Sequence, residues 1–141
     1  MRRAFPGTLA AMLTTTEPRT SSRRWVWLTF RALVSVLTID AYLQAVLAGR
    51  FLSGAYGSLL MHRSNGVSGV AILSFALVVV SIVAWRTKQA TGTLVVLTVL
   101  LSGVIALQIM LGFERILGLH IPLGVAIIAL STVLTIWAWR R

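Results

Sequence analysis

Two histidines occupy matching sequence contexts, and they are the only histidines in the chain. His62 and His120 are each followed four residues later by a glycine, Gly66 and Gly124. A pair of neutral imidazoles can ligate one metal centre from opposite sides. A glycine at position i+4 lies on the histidine's own face of a helix. The pattern therefore predicts a paired-histidine site where the glycines leave room for a flat group.

The composition indicates an integral membrane protein. Of the 141 residues 57% are hydrophobic and only three are acidic, and the mean hydropathy is +0.90, which is too apolar for an ordinary soluble domain. A helix needs about 20 apolar residues to cross a bilayer. Four segments meet this requirement and are predicted to be transmembrane helices: residues 25–49, 62–85, 92–112 and 120–139.

The predicted connections are short, which favours an up-down-up-down four-helix bundle in an all-α membrane domain spanning residues 25–141. The two halves of this domain also resemble each other. The first span ends in LQAVLAGR (residues 43–50) and the third in LQIMLGFER (residues 107–115), and each is followed by a helix that begins near a histidine. The sequence thus predicts a duplicated helical hairpin with pseudo-twofold symmetry, which brings both histidines to the same depth.

The distribution of charge predicts the orientation. Nine basic residues flank the ends of the spans on one side and three flank those on the other, which places both termini in the cytoplasm. All five tryptophans lie at the same predicted cytoplasmic ends, so the histidines belong at the extracytoplasmic face. Residues 1–24 are expected to form a flexible basic cytoplasmic tail.

The net charge of +10 does not indicate a nucleic-acid partner. The basic residues flank apolar spans and do not form a stripe with interleaved aromatic residues. The expected surroundings are a lipid bilayer, and anionic lipid accounts for the excess of positive charge.

A b-type haem is the cofactor that best suits two histidines in a bundle, because it needs an axial nitrogen from each of two facing helices and apolar walls. His62 and His120 are the predicted axial ligands. The second ring nitrogen of each needs a hydrogen-bond acceptor, for which the candidates are Gln44, Gln108, the side chains of residues 64 and 65, or backbone carbonyls. Cations for the haem propionates would come from three arginines at this end of the bundle, Arg50, Arg63 and Arg115.

Other interpretations of the histidine pair remain open. The two imidazoles can be interfacial side chains that reach the headgroup layer, with the glycines serving close helix packing. A zinc or copper site is less favoured, because two imidazoles without a thiolate or carboxylate leave the metal's coordination incomplete. The chain has no cysteine, which excludes a disulfide, an iron–sulfur cluster and a c-type haem attachment.

The order of these motifs resembles one four-helix half of haem A synthase and of related cytochrome b561-like bundles. The resemblance covers residues 25–139 and lies in LQxxLxGR...SG (residues 43–54), HRxxG from His62, LQxxLG (residues 107–112) and the later His120. It implies that the two histidines are the axial pair of one haem. Haem A synthase resembles two such halves fused, and it carries an acid shortly before the first histidine and a cysteine pair in an outer loop, whereas this chain has Leu59, Leu60 and Met61 before the histidine and no cysteine.

Asp40 is an acid within the first predicted span, where an ionisable side chain is energetically unfavourable. It is expected to act either as a proton relay or partner of the site, with Gln44 one turn further along the same face, or as a hydrogen-bonded structural carboxyl.

Three functions follow from these features. The first is electron transfer by a small b-type cytochrome that exchanges single electrons with a quinol or a partner redox protein. The second is a cofactor-free accessory subunit of a larger respiratory membrane complex such as an oxidase. The third is an enzyme of haem modification, which the missing acid and cysteines disfavour. Recognisable nucleotide-binding and hydrolase motifs are absent from the sequence.

Overall fold

The computed structural model describes residues 19–141, and the regular structure in that range is entirely helical. The elements are α1 (Arg19–Leu52), α2 (Gly57–Asn65), a π-helical turn (Gly66–Val70), α3 (Ala71–Arg86), α4 (Gly92–Phe113) and α5 (Leu117–Arg140). The π turn joins α2 to α3, so the two form one span. Four helices are long and apolar enough to cross a membrane, Arg24–Leu52, Gly57–Arg86, Gly92–Phe113 and Leu117–Arg140, which agrees with the predicted multi-pass membrane protein.

The four spans pack in a ring. The first span contacts the second and the fourth, and the third also contacts the second and the fourth. Consecutive spans are therefore neighbours, as the short connections predict, and the second and fourth spans lie on a diagonal. Phe30, Leu37, Leu77 and Ile105 fill the centre and are almost fully buried, while many large apolar side chains point outward, as expected when the surroundings are lipid.

Small polar side chains join neighbouring helices. Ser81 and Thr98 share a buried hydrogen bond of 2.8 Å between α3 and α4, and Thr38 and Thr135 share one of the same length between α1 and α5. Small residues allow close approach of helices in a membrane, and their hydroxyls add about 1 kcal/mol or less per bond. One such hydrogen bond joins the second span to the third, and the other joins the fourth span to the first.

Two spans begin earlier than the sequence predicts. The second begins at Gly57 and the fourth at Leu117, because the apolar residues that precede each histidine continue the helix. The histidines consequently lie inside their helices and do not open them. At the other end of the chain, α1 begins at Arg19, within the predicted tail, and residues 1–18 of that tail lie outside the described residues.

Candidate functional site

The two histidines meet across the diagonal of the bundle. The ring centroids of His62 on α2 and His120 on α5 are 6.1 Å apart, and the ring planes are inclined by 71°. Both side chains are partly buried. The bundle thus brings together two residues that are 58 positions apart along the chain.

Each imidazole is held by the backbone of the preceding span. Nδ1 of His62 lies 3.1 Å from the carbonyl oxygen of Gln44, and Nδ1 of His120 lies 2.9 Å from the carbonyl oxygen of Gln108. A carbonyl oxygen can only accept, so Nδ1 carries the proton when these bonds form. The lone pair then resides on Nε2, which is the arrangement that prepares a histidine to ligate a metal.

The glutamine side chains in turn form hydrogen bonds with the backbone of the same histidines. The amide nitrogen of Gln108 donates to the carbonyl oxygen of His120 over 2.8 Å. The Gln44 side-chain amide satisfies its partners when its oxygen and nitrogen are exchanged. In this orientation its nitrogen donates to the carbonyl oxygen of His62 over 3.1 Å and lies 2.7 Å from Nδ1 of His62. His62 therefore has two partners for Nδ1, one for each neutral tautomer. A metal on Nε2 would select the tautomer in which Nδ1–H donates to the backbone carbonyl.

The Gln108 amide also leaves one atom unsatisfied. Its side-chain oxygen is buried and has no hydrogen-bond partner. A buried acceptor without a donor costs about 1–3 kcal/mol. This atom is a polar group without a structural role, immediately beside the histidine pair.

The glycines at i+4 from each histidine face the glutamines. A Cβ atom at Gly124 would lie 3.0 Å from the amide nitrogen of Gln108, and one at Gly66 would lie 3.9 Å from the side-chain amide of Gln44. These glycines give room to the amides that hold the histidines. That they also leave room for a flat cofactor stays a prediction.

A third glycine, Gly112, leaves the space that the His120 ring occupies, a role that the sequence alone does not assign to it. A Cβ atom at Gly112 would lie 2.8 Å from Cε1 of His120, so any larger residue would displace the imidazole. Gly112 is the glycine of the LQxxLG motif and lies one turn after Gln108. The motif therefore supplies both the hydrogen bonds to His120 and the space for its ring.

Asp40 is connected to His62 through two amides. Asn65 donates to the Asp40 carboxylate over 2.5 Å, and its amide nitrogen lies 2.8 Å from the oxygen of the reoriented Gln44 side chain. The π turn that starts directly after Asn65 widens the helix, and such turns are frequent at functional sites. Within this turn, a Cβ atom at Gly69 would lie 2.8 Å from an Asp40 oxygen. The polar chain runs from the interior of the first span to the histidine pair.

The three arginines expected near haem propionates lie at the histidine end of the bundle. The guanidinium of Arg63 stacks on the ring of Phe113 at 4.7 Å from its centroid. Arg50 donates to the hydroxyl of Ser58 over 3.4 Å, and Arg115 is exposed in the connection between α4 and α5 with a φ of 59°. All three therefore lie on the same side of the bundle as the histidine pair.

The spacing of the rings suits a single metal ion. Metal–imidazole bonds of about 2.0 Å place the centroids of two opposed ligating rings roughly 6 Å apart. The described residues include no group of three or more histidine, cysteine, aspartate or glutamate side chains able to hold a bare ion. A metal at this position would need its remaining ligands from a cofactor, and a porphyrin supplies four nitrogens. Two imidazoles alone therefore leave a free zinc or copper ion with an incomplete set of ligands.

Fold and site together define a helical membrane bundle with a paired-histidine centre held by two glutamines. Comparisons with protein-family models, with curated proteins and with solved structures gave no match. The resemblance to haem A synthase accordingly rests on the short motifs alone.

Proposed function

We propose that this protein is a small membrane cytochrome of the b type. It binds one haem between His62 and His120 near the extracytoplasmic face and exchanges single electrons with a quinol or a partner redox protein. The observation that carries the proposal is the equivalent anchoring of the two imidazoles, with each Nδ1 on the backbone carbonyl of a glutamine.

The residues around the pair have separate tasks. The carbonyls of Gln44 and Gln108 orient the rings, and the tautomer in which Nδ1–H donates to them leaves the lone pair on Nε2. The amides of the same glutamines fix the backbone of the two histidines, and Gly112 leaves space for the His120 ring. When bound, the haem supplies reversible one-electron chemistry, and its potential depends on the axial ligands and on burial. Arg63 and Arg115, at the same end of the bundle as the histidines, would supply cations for its propionates.

The test is a reduced-minus-oxidised visible spectrum of protein purified after expression with a supply of haem. A pair of α and β bands with about one haem per chain is expected. His62→Ala and His120→Ala should each abolish the stoichiometric haem, because a haem with one protein ligand loses its second axial bond.

Thr98→Val is the matched control for these variants. It removes a buried polar contact far from the histidines and should retain full haem. Wild-type protein without a Soret band, or unchanged haem content in both histidine variants, would overturn the proposal.

One observation favours a second candidate, the cofactor-free accessory subunit. The contacts between histidine and glutamine join the two helices of each hairpin, so the histidines have a structural task of their own. In that case the wild-type chain would be colourless and would copurify with a larger membrane complex, and His120→Ala would lower the melting temperature without any change in absorption.

A further inference from the structure

The end of the bundle opposite the histidines carries a cluster of aromatic and cationic side chains that the proposed function does not use. We call it the tryptophan cluster, and it consists of Trp27, Trp137, Trp139, Arg31 and Arg141. Trp27 and Trp137 meet edge to face with centroids 5.9 Å apart. The guanidinium of Arg141 lies 5.0 Å from the Trp137 ring and 5.8 Å from the Trp27 ring.

Arg31 is the most unusual member, because it lies inside the first span. Its Nε–H donates to the carbonyl oxygen of Ala138 over 2.9 Å. Its guanidinium carbon lies 5.8 Å from the Trp27 ring and 5.3 Å from the Trp139 ring. A guanidinium has five N–H donors, and this carbonyl uses only one of them. The charge is held by two aromatic faces, and most of its hydrogen-bonding capacity is left for a ligand.

An open cleft adjoins the cluster. It has a volume of about 320 Å³ and is lined by Trp27, Gln89 and Arg141. Gln89 belongs to the connection between α3 and α4, so the cleft lies where the first span, the fourth span and this connection meet. It offers a guanidinium and an amide beside an aromatic face.

The charged side chains that the structure describes around the cleft are all cationic. Among the residues that the structure describes with their side chains, the acids are Asp40 and Glu114. Asp40 is bonded to Asn65, and Glu114 lies at the histidine end of the bundle. The rise of an α-helix places Arg31 about 13 Å from Asp40 along the same helix. Neither acid neutralises the tryptophan cluster.

From this arrangement we propose that the tryptophan cluster binds the phosphate group of an anionic lipid. Guanidinium groups bind phosphate through paired, charge-assisted hydrogen bonds, and basic pockets between transmembrane helices suit anionic headgroups. Tryptophan rings prefer the headgroup level of the bilayer, where a lipid phosphate stands. Arg141 and Gln89 line the cleft, and Arg31 contributes charge from within the same cluster. The Gln89 amide already donates to Thr87 over 2.7 Å, which leaves its second N–H for the phosphate. The site is independent of any haem.

The experiment measures lipid retention in nanodiscs by native mass spectrometry. Wild-type protein is reconstituted in phosphatidylcholine with increasing phosphatidylglycerol, and one phosphatidylglycerol is expected to remain bound. In the Arg31→Gln, Arg141→Gln variant its retention should fall by a factor of roughly ten or more, because each charge-assisted hydrogen bond contributes about that factor.

Arg86→Gln is the matched control. Arg86 also stacks on a tryptophan at this end of the bundle, Trp85 at 5.5 Å, but it lies outside the cleft. Since this variant loses a comparable cation at the same end, it separates a built site from general attraction to anionic lipid. Its retention of phosphatidylglycerol should match the wild type.

A second arm distinguishes the source of the phosphate. Inorganic phosphate is added to protein in pure phosphatidylcholine nanodiscs, and the thermal stability is recorded. A rise in melting temperature with phosphatidylglycerol only supports a lipid site, whereas an equal rise with inorganic phosphate would overturn the lipid assignment.

Equal retention in the wild type and in the double variant would overturn the site as a whole. If the double variant does not fold, the Arg141→Gln variant alone provides the same test, because Arg141 is exposed and directly follows α5.

Discussion

Two glutamines determine how the histidine pair is built. Gln44 and Gln108 each use the backbone carbonyl to hold an imidazole and the side-chain amide to hold the backbone of the same histidine. The space for these contacts comes from residues without a side chain. A site of this kind tolerates little added volume, because the rings and amides fill the positions that a Cβ atom would take.

Replacement of Gly112 by alanine should disturb the His120 ring. The new Cβ atom would lie 2.8 Å from Cε1, and such overpacking costs about 1–3 kcal/mol. We expect a lower melting temperature in detergent and a loss or spectral change of bound haem. Gly103→Ala on the same helix meets no atom within 4 Å, so it should leave both quantities unchanged or raise the stability by up to about 1 kcal/mol. Identical behaviour of the two variants would contradict the packing of His120 on Gly112.

Two replacements of Asp40 distinguish the contribution of its hydrogen bond to stability from the contribution of its charge. Asparagine at this position still accepts from Asn65, so Asp40→Asn should melt close to the wild type. Asp40→Leu leaves one of the two N–H groups of the Asn65 amide without an acceptor and should cost about 1–3 kcal/mol. Thermal unfolding monitored by circular dichroism measures both. A strongly destabilised Asp40→Asn variant would show that the carboxylate charge itself, and not the hydrogen bond, stabilises the first two spans.

The π turn is the element that sets the register of the second span. It inserts one wide turn between α2, which carries His62, and α3, which carries Leu77 and Ser81 in the core. One residue corresponds to a rotation of about 100° around a helix axis. The histidine and the buried face of α3 can therefore both point inward only when the turn is present.

Deletion of Ser68 should convert the π turn into regular α-helix. The rotation then removes either the contact between His62 and Gln44 or the hydrogen bond between Ser81 and Thr98. We expect a lower melting temperature and loss of stoichiometric haem. Ser68→Ala keeps the length of the helix and should behave as the wild type. A deletion variant with unchanged stability and haem content would show that the turn does not set the register.

The sequence was sufficient to predict the elements but not their registers. Four apolar runs with short connections fix an all-helical bundle of four spans, and the repeated LQ and HxxxG motifs indicate which residues approach each other. The bond between Asp40 and Asn65 depends on the π turn, for which Gly66 and Gly69 are only weak local signals. That Gly66 and Gly124 face the glutamines could not be predicted either, because helix rotation depends on packing of the whole bundle.

The molecule as a whole has two chemically different ends. One end holds the histidine pair and its amides, and the other holds the tryptophan cluster with its excess of cations. Arg31 and Gln44 lie on the same helix about 20 Å apart along its axis, so a haem and an anionic lipid would not compete for space. The charge difference between the ends also predicts the direction of insertion, because basic residues are retained on the cytoplasmic side.

Single-cysteine labelling tests this orientation directly, since the wild-type chain contains no cysteine and no background has to be removed. Ser53→Cys and Glu114→Cys place a thiol at exposed positions in the two connections at the histidine end, and Lys88→Cys places one in the connection at the other end. A membrane-impermeant maleimide added to intact cells should label the first two variants, whereas Lys88→Cys should react only after the cells are made permeable. Labelling of Lys88→Cys alone in intact cells would reverse the orientation. It would then place the histidine pair at the cytoplasmic face, where a haem would exchange electrons with cytoplasmic partners.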